Sequence, residues 1–292
     1  MTLIELVERM SARLEEAGVA FGHGTTNAFD EAAWLTLWRL GLPLDDLDGA
    51  AQQPVNTAQQ AAVEALVAER IASRRPAAYL THEAWLQGVP FYVDERAIVP
   101  RSLIAEPLAD GTLDAWLSDR TQQVLDLCTG NGSLAVLAAL AWPEVTVDAA
   151  DLSTDALDVA RINVERHGVG DRIALHQGDG LAAVRGRRYD LILCNPPYVN
   201  AGSMQALPPE YRAEPALALA GGEDGMDFVR ALLRQAPAAM TDDAVLVLEI
   251  GHEREHFERA FPRLEAVWLP TSAGDDQVLL LTRDAIVAGE RR

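Results

Sequence analysis

Val124 to Ala141 reads VLDLCTGNGSLAVLAALA, and its character changes twice along the way. Val124 to Leu127 is a short β-prone run, Cys128 to Gly132 is loop, and from Ser133 the apolar residues continue long enough for a buried helix. Gly130 and Gly132 permit backbone angles and close approach that other residues resist. They stand where a strand turns into a helix, whose first N–H groups have no intrahelical partner and point ahead of it. GNGSLA also fits the loose pattern G-x-G-x-x-G/A, although a plain tight turn would need a glycine as well. Such a strand–turn–helix unit opens a parallel α/β sheet.

The residues on either side extend the pattern. Strands are predicted at Val124 to Leu127, Val145 to Ala150, Ile173 to His176, Tyr189 to Cys194 and Ala244 to Ile250. Helices are predicted between most of them, from Ser133, from Ser153 and from about Gly225. Strands separated by helices imply a parallel sheet covered on both faces. Ala266 to Leu269 and Gln277 to Thr282 leave no room for a helix and predict an antiparallel hairpin at one edge. Upstream the period is helical: Leu3, Leu6, Val7, Met10 and Leu14 share a face, as do Val63, Leu66, Val67 and Ile71. FGHGTTNAFDEA, with His23, reads as a Gly-rich loop in which Asn27 or Asp30 caps the next helix. Residues 85–100 alternate and predict a β-hairpin. The expected organisation is a helical domain over 1–84, a hairpin and linker over 85–120, and a doubly wound α/β domain over 121–292.

Composition narrows the classes. No run of 18 apolar residues is present, so no membrane span is expected. The N-terminus mixes acids and bases at helical spacing and lacks a signal-peptide pattern. Two cysteines, Cys128 and Cys194, are too few for a disulfide framework or a metal cluster, and a reducing cytoplasm is the simplest compartment. The formal net charge is -20, and all 24 basic residues are arginine. Such a surface repels nucleic-acid backbones and attracts basic proteins, or simply keeps the chain soluble.

Two acids follow the glycine loop. Asp151 ends the second strand, where a carboxylate accepts hydrogen bonds from ribose hydroxyls. Asp179, in HQGDGL after the third strand, falls within reach of an adenine amino group. A nucleoside-containing cofactor is therefore expected. Asp126, inside the first strand, is awkward against a pyrophosphate but suits a cationic amino acid, which favours S-adenosylmethionine over NAD. The plainer reading of Asp126 is a residue that only caps and shapes the loop.

LILCNPPY closes the argument. The fourth strand should lie beside the first, so Asn195, Pro196, Pro197 and Tyr198 emerge next to the cofactor loop. A planar amide or exocyclic amine is a poor nucleophile because its lone pair is delocalised. The Asn195 side-chain oxygen and the Pro196 carbonyl could accept its two N–H bonds and favour positive charge developing on nitrogen. Tyr198 would pack on the flat group, and the prolines would hold the acceptors rigid. As punctuation alone, Asn-Pro and Pro-Pro also mark turns.

With these residues the chain resembles the class I S-adenosylmethionine-dependent methyltransferases, and within them the HemK/PrmB family of protein glutamine methyltransferases. The resemblance runs through FGHGTTNAFDEA, YLTHEAW, FYVDERAIVPRS, VLDLCTGNGSL, NPPYV and LPPEYRAEPALALAGGEDGMD, nearly the whole chain. It implies a Rossmann-like, mostly parallel seven-stranded sheet and methylation of a glutamine side-chain amide. The substrate is either a large-subunit ribosomal protein or a peptide release factor. The EYR-x-EP block and the lack of an acidic pair after Pro100-Arg101 favour the ribosomal-protein branch. By position, it implies that Asp126, Cys128, Thr129, Gly130, Asn131, Gly132, Asp151, Asp179 and Asn195 contact the cofactor. Asn195 through Tyr198 would hold the glutamine; no metal is implied. Cys128 replaces the first glycine of the family signature, and Leu103 and Ala105 replace Pro and Gly of VPRSPIGE, which bears on Arg101 and Glu106.

Two further readings share these residues. A DNA adenine methyltransferase carries NPPY for the same reason, but it needs a basic region to hold DNA, and the first 85 residues are acidic to neutral. A non-enzymatic binding module would not need the full set of Asp126, Gly130, Gly132, Asp151 and NPPY.

Overall fold

A computed structural model describes residues 1–290. Five helices come first: α1 (Leu3–Glu16), α2 (Ala28–Leu40), α3 (Leu47–Ala50), α4 (Thr57–Ser73) and α5 (Ala77–Thr81). Thr2 starts α1 as an N-cap, and its exchange of bonds with Glu5 completes a capping box. The stripe Leu3, Leu6, Val7, Met10 and Leu14 is fully buried against α2 and α4. Asn27 caps α2 by accepting from the Asp30 amide, so Asn27 rather than Asp30 takes that role.

A short hairpin, β1 (Ala84–Leu86) with β2 (Val89–Phe91), leads to α6 (Ala105–Ala109). The hairpin is much shorter than the alternation over 85–100 predicts. Val93 and Val99 are buried in one cluster with Ala78, Tyr79 and Ala84, and the Val99 amide donates to the Glu214 carboxylate, 3.0 Å away, instead of to a strand.

The α/β part then runs β3 (Gln123–Leu127), α7 (Ser133–Ala141), β4 (Thr146–Asp151), α8 (Thr154–Arg166), β5 (Ile173–Gln177) and β6 (Tyr189–Cys194). After β6 come the short helices α9 (Ala201–Ala206) and α10 (Pro209–Arg212), then α11 (Asp227–Ala239), β7 (Met240–Glu249) and α12 (Arg254–Ala260). β8 (Val267–Thr271), β9 (Gly274–Thr282) and α13 (Arg283–Glu290) complete the described chain. The strand order is β5-β4-β3-β6-β7-β9-β8; the first five are parallel and the last two antiparallel.

Alternation along each strand feeds two cores. Val124, Leu191, Leu193, Val245 and Val247 face one side with α7; Leu125, Leu127, Ile192, Cys194, Leu246 and Leu248 face the other with α11. Each large aliphatic side chain so buried contributes roughly 1.5–3 kcal/mol. The doubly wound sheet with its edge hairpin is therefore as the sequence predicts. β7 starts earlier than predicted because the polar Thr241-Asp242-Asp243 lies at its exposed end, where composition hides a strand.

Candidate active site

β3 and β6 are parallel neighbours at the point where strand order reverses, with Leu127 opposite Cys194. Cys128 and Asn195 therefore leave the sheet side by side. A cleft with about 830 Å³ of empty space opens there. Cys128, Gly130, Asp151, Asp179, Asn195 and Pro197 line it. A smaller cavity of about 330 Å³ lies on the other side of the loop, between Thr129, Asn131 and the Pro100–Ser102 segment. Cys128, Gly130 and Asn195 are walls of both spaces.

The loop is held from several directions. Cys128 adopts a left-handed conformation, φ 63°, where the family signature has glycine; for a side-chain-bearing residue this costs about 1–2 kcal/mol. Asp151 accepts from the Gly130 amide at 2.9 Å and from the Ser153 amide at 2.8 Å. Burial nevertheless raises its pKa, against the pull of those amides. Ser153 caps α8, leaving Asp151 to the loop.

Asp126 and Gly132 do not line either space. Asp126 is 1% exposed and sits beneath the loop, accepting from the Thr129 hydroxyl at 2.5 Å and the Ala135 amide at 2.9 Å. Burial pushes its carboxyl up to about 7, against those two bonds. Its other oxygen, Oδ1, is buried without a partner. The plainer reading of Asp126, capping and shaping the loop, matches this geometry. Gly132 is needed for close packing: a Cβ there would lie 3.0 Å from the Ala160 Cβ on α8, and its φ is 80°.

Asn195 and Pro196 behave differently from the loop. Among the described residues neither the Asn195 side chain nor the Pro196 carbonyl has a hydrogen-bond partner. Tyr198 is not an open platform. Its hydroxyl donates to Glu249 Oε1 at 3.0 Å, and a Cβ on Gly251 would fall 2.5 Å from its ring. Glu249, 3% exposed, also accepts from the Ser102 hydroxyl at 2.6 Å and the Leu103 amide at 2.9 Å. Burial raises the pKa of both Tyr198 and Glu249, so the phenol stays protonated and donating. The ring is a fixed wall behind the turn.

Several residues without a role in the sequence reading organise this wall. Glu214 receives a bidentate pair from Arg101, at 2.6 and 2.7 Å, and faces His23 Nε2 at 3.4 Å. Burial alone would raise the Glu214 pKa, yet Arg101 and His23 hold it at about 2. His23 is 2% exposed and packs on Tyr211, ring centroids 4.3 Å apart, so it is no ordinary loop residue. Glu210, also fully buried, pairs with Arg70 and Arg74 of the helical part, and Arg70 in turn with Glu31. The EYR-x-EP block is thus a strap binding the chain after NPPY to the N-terminal helices. Pro215, the last residue of the block, and Leu217 just beyond it line the cleft. A signal was present: acids and arginines at apolar-flanked positions need buried partners. Glu106 lies away from the cleft and receives the amide and hydroxyl of Ser272.

The chemistry open to the cleft is limited. Contact with Cys194 and burial push the Cys128 thiol up, so it is no thiolate nucleophile. No histidine lines the cleft, and no group of residues able to hold a metal is found among the described residues. What lines the cleft is the Asn195 amide with Pro197 beside it and two carboxylates, Asp151 and Asp179; Pro196 is buried behind them.

Residues 111–207 match the family model described as methyltransferase small domain. The chain resembles the solved hMettl16 catalytic domain, bound to MAT2A 3'UTR hairpin 6, with a TM-score of 0.53 at 12% identity, covering 81% of this chain and 85% of that one. A methyltransferase from Pyrococcus furiosus aligns with a TM-score of 0.50 at 18% identity, over 67% and 89% of the two chains. These likenesses concern the fold. In sequence, the chain is 54% identical over 287 residues to a ribosomal protein uL3 glutamine methyltransferase of Bordetella pertussis, covering 98% of this chain and 96% of that one. Proteins with the same description from Burkholderia pseudomallei (53% identity, 96% and 94% coverage) and Neisseria meningitidis serogroup B (46%, 99% and 95%) align as fully. A parallel sheet with two free acceptors at its switch point, and identity of this extent over almost the whole length, place the chain in the family of ribosomal protein uL3 glutamine methyltransferases.

Proposed function

We propose that the chain transfers a methyl group from S-adenosylmethionine to the side-chain amide nitrogen of a glutamine in ribosomal protein uL3. The observation that carries this reading is the pair of unpartnered acceptors, Asn195 Oδ1 and the Pro196 carbonyl, beside the Cys128–Gly132 loop. Two acceptors at one turn match the two N–H bonds of a primary amide. Accepting both directs the nitrogen lone pair across the cleft and favours the positive charge that develops there. Pro197 and the locked Tyr198 ring hold the two oxygens in place. The nitrogen loses one proton to water once charged, so no strong base is needed.

The cleft suits a nucleoside. The Asp151 oxygens each accept one backbone amide and keep a second lone pair for ribose hydroxyls. Asp179 has no side-chain partner among the described residues and supplies an acceptor on the adenine side. Cys128, Thr129, Gly130 and Asn131 frame the passage between the two spaces, and Asp126 and Gly132 hold that frame from behind. When bound, S-adenosylmethionine supplies a methyl group on a positively charged sulfur, open to in-line displacement.

The helices of residues 1–84 dock the substrate protein, 85–120 link, and 121–292 carry the reaction. A net charge of -20 complements a basic ribosomal protein, which the cytoplasm supplies as it is made. The test is incubation with methyl-labelled S-adenosylmethionine and, separately, unmethylated uL3, release factor and DNA. Label on a uL3 glutamine is expected; label only on release factor or DNA overturns the substrate.

A further inference from the structure

A second large concavity lies in the N-terminal part, away from the cleft. Its empty volume is about 1080 Å³. α2, the α2–α3 loop and the start of β1 form its walls, through Ala33, Trp34, Leu37, Leu44, Leu47 and Ala84. The rim carries Asp30, Asp45 and Trp85, and no basic residue lines any part of it. None of these residues takes part in the chemistry derived above.

Three features give the groove a direction. Trp85 is 45% exposed although large and apolar, and its indole N–H is fixed to Glu83 at 2.9 Å, leaving the ring face presented. Trp34 lines the same groove, its Nε1 buried and without a partner. Asp45 is exposed and unpaired among the described residues. Apolar floor, aromatic face and carboxylates together fit an extended peptide with a basic side chain. A guanidinium or ammonium would lie between the Trp85 ring and the rim acids.

The groove is linked along the chain to the segment behind the cleft. Gly24 and Thr25 at its edge follow His23, which faces Glu214, and Pro215 lines the cleft. A second copy of this acidic chain fits poorly, because like charges would meet.

We infer that this groove seats an extended segment of the substrate protein, with apolar side chains on the Trp34–Leu37 floor and an arginine or lysine at the Asp30–Asp45–Trp85 rim. The inference rests on the proposed methylation of a ribosomal protein. Asp45→Arg and Trp85→Ala, both at exposed positions outside the cleft, test it with unmethylated uL3 as substrate. KM for uL3 should rise roughly tenfold or more, with kcat at saturation and cofactor affinity unchanged. The rise with Asp45→Arg should shrink as salt is added, since the interaction is electrostatic. An unchanged KM in both variants overturns the inference while leaving the proposed function intact. Failure of the unaltered enzyme to methylate uL3 overturns both. A photo-crosslinker at Leu44 gives an independent readout: capture of an Arg- or Lys-bearing segment of uL3 supports the inference. Capture of a neutral or acidic segment, or of a second enzyme chain, overturns it.

Discussion

Asn195 is a half-buried amide at the end of a largely buried strand, with no protein partner for its side chain. An acceptor left open at the edge of a cleft is available to a ligand that enters it. Asn195→Ala should lower kcat by about 10²–10³-fold, the usual loss for one acceptor or donor aimed at developing charge. Cofactor affinity, measured by calorimetry, should change little; comparable loss of both would assign Asn195 to cofactor binding instead. Asp126 makes a different statement. Its folded pKa of about 7 lies above the ordinary 3.8, so the native state holds a proton that the unfolded chain has lost. Its contribution to stability is present below about pH 4, falls by about 1.4 kcal/mol per pH unit as pH rises, and is flat above about 7. Urea titrations of the unliganded protein at pH 5 to 8, compared with Asp126→Asn, should show this slope in the native sequence only. At this scale the sequence revealed which residue types gather at the sheet end. It could not reveal that Asp126 turns under the loop, because that depends on a 2.5 Å bond to the Thr129 hydroxyl that several loop shapes allow or forbid.

Elements were legible in proportion to how uniformly their surroundings bury them. β3 and β6 sit between two cores, so most of their residues are apolar and the strands stand out from sequence alone. Short pieces did not. α12 turns on the single buried Phe257, and α10 is a four-residue turn whose glutamate, not an apolar side chain, is its buried member. The turn after β7 repays attention for the same reason. Gly251, at φ 52°, lets the chain pass against the Tyr198 ring. Gly251→Ala would force that ring and its bond to Glu249 to move, and with them the acceptor turn. Expected is a fall in kcat of tenfold or more with cofactor affinity kept, a flipped pattern from loop variants such as Gly132→Ala. Equal kcat in Gly251→Ala and the unaltered enzyme would show that the ring is not positioning anything.

Across the whole molecule the strap dominates. Its pairs join Glu214 to Arg101 and His23, and Glu210 to Arg70 and Arg74. None was readable from one sequence, because pairing at that separation leaves no local period. What was readable was the anomaly of charged residues in an otherwise apolar block. Glu214→Ala should cost about 3 kcal/mol, since it strands the Arg101 guanidinium and the Val99 amide, and Glu214→Gln should recover part of it. The folded pKa of about 2 lies below the ordinary 4.5, so the stabilising effect is complete above about pH 4.5 and fades as pH falls toward 2. Chemical denaturation at pH 3 and pH 7 checks the sign: the variant should differ from the parent more at pH 7.

The Arg70–Glu210 pair spans 140 residues of chain. At translation rates of about 5–20 residues per second, roughly seven to thirty seconds separate the emergence of the two partners. For that interval Arg74 lacks its carboxylate and Arg70 has only one of its two, Glu31. The bundle can gather its apolar stripe early, but it reaches its final form only when the segment after the catalytic turn arrives. The N-terminal helices and the chain after β6 thus reach their final contacts in one event, late in synthesis.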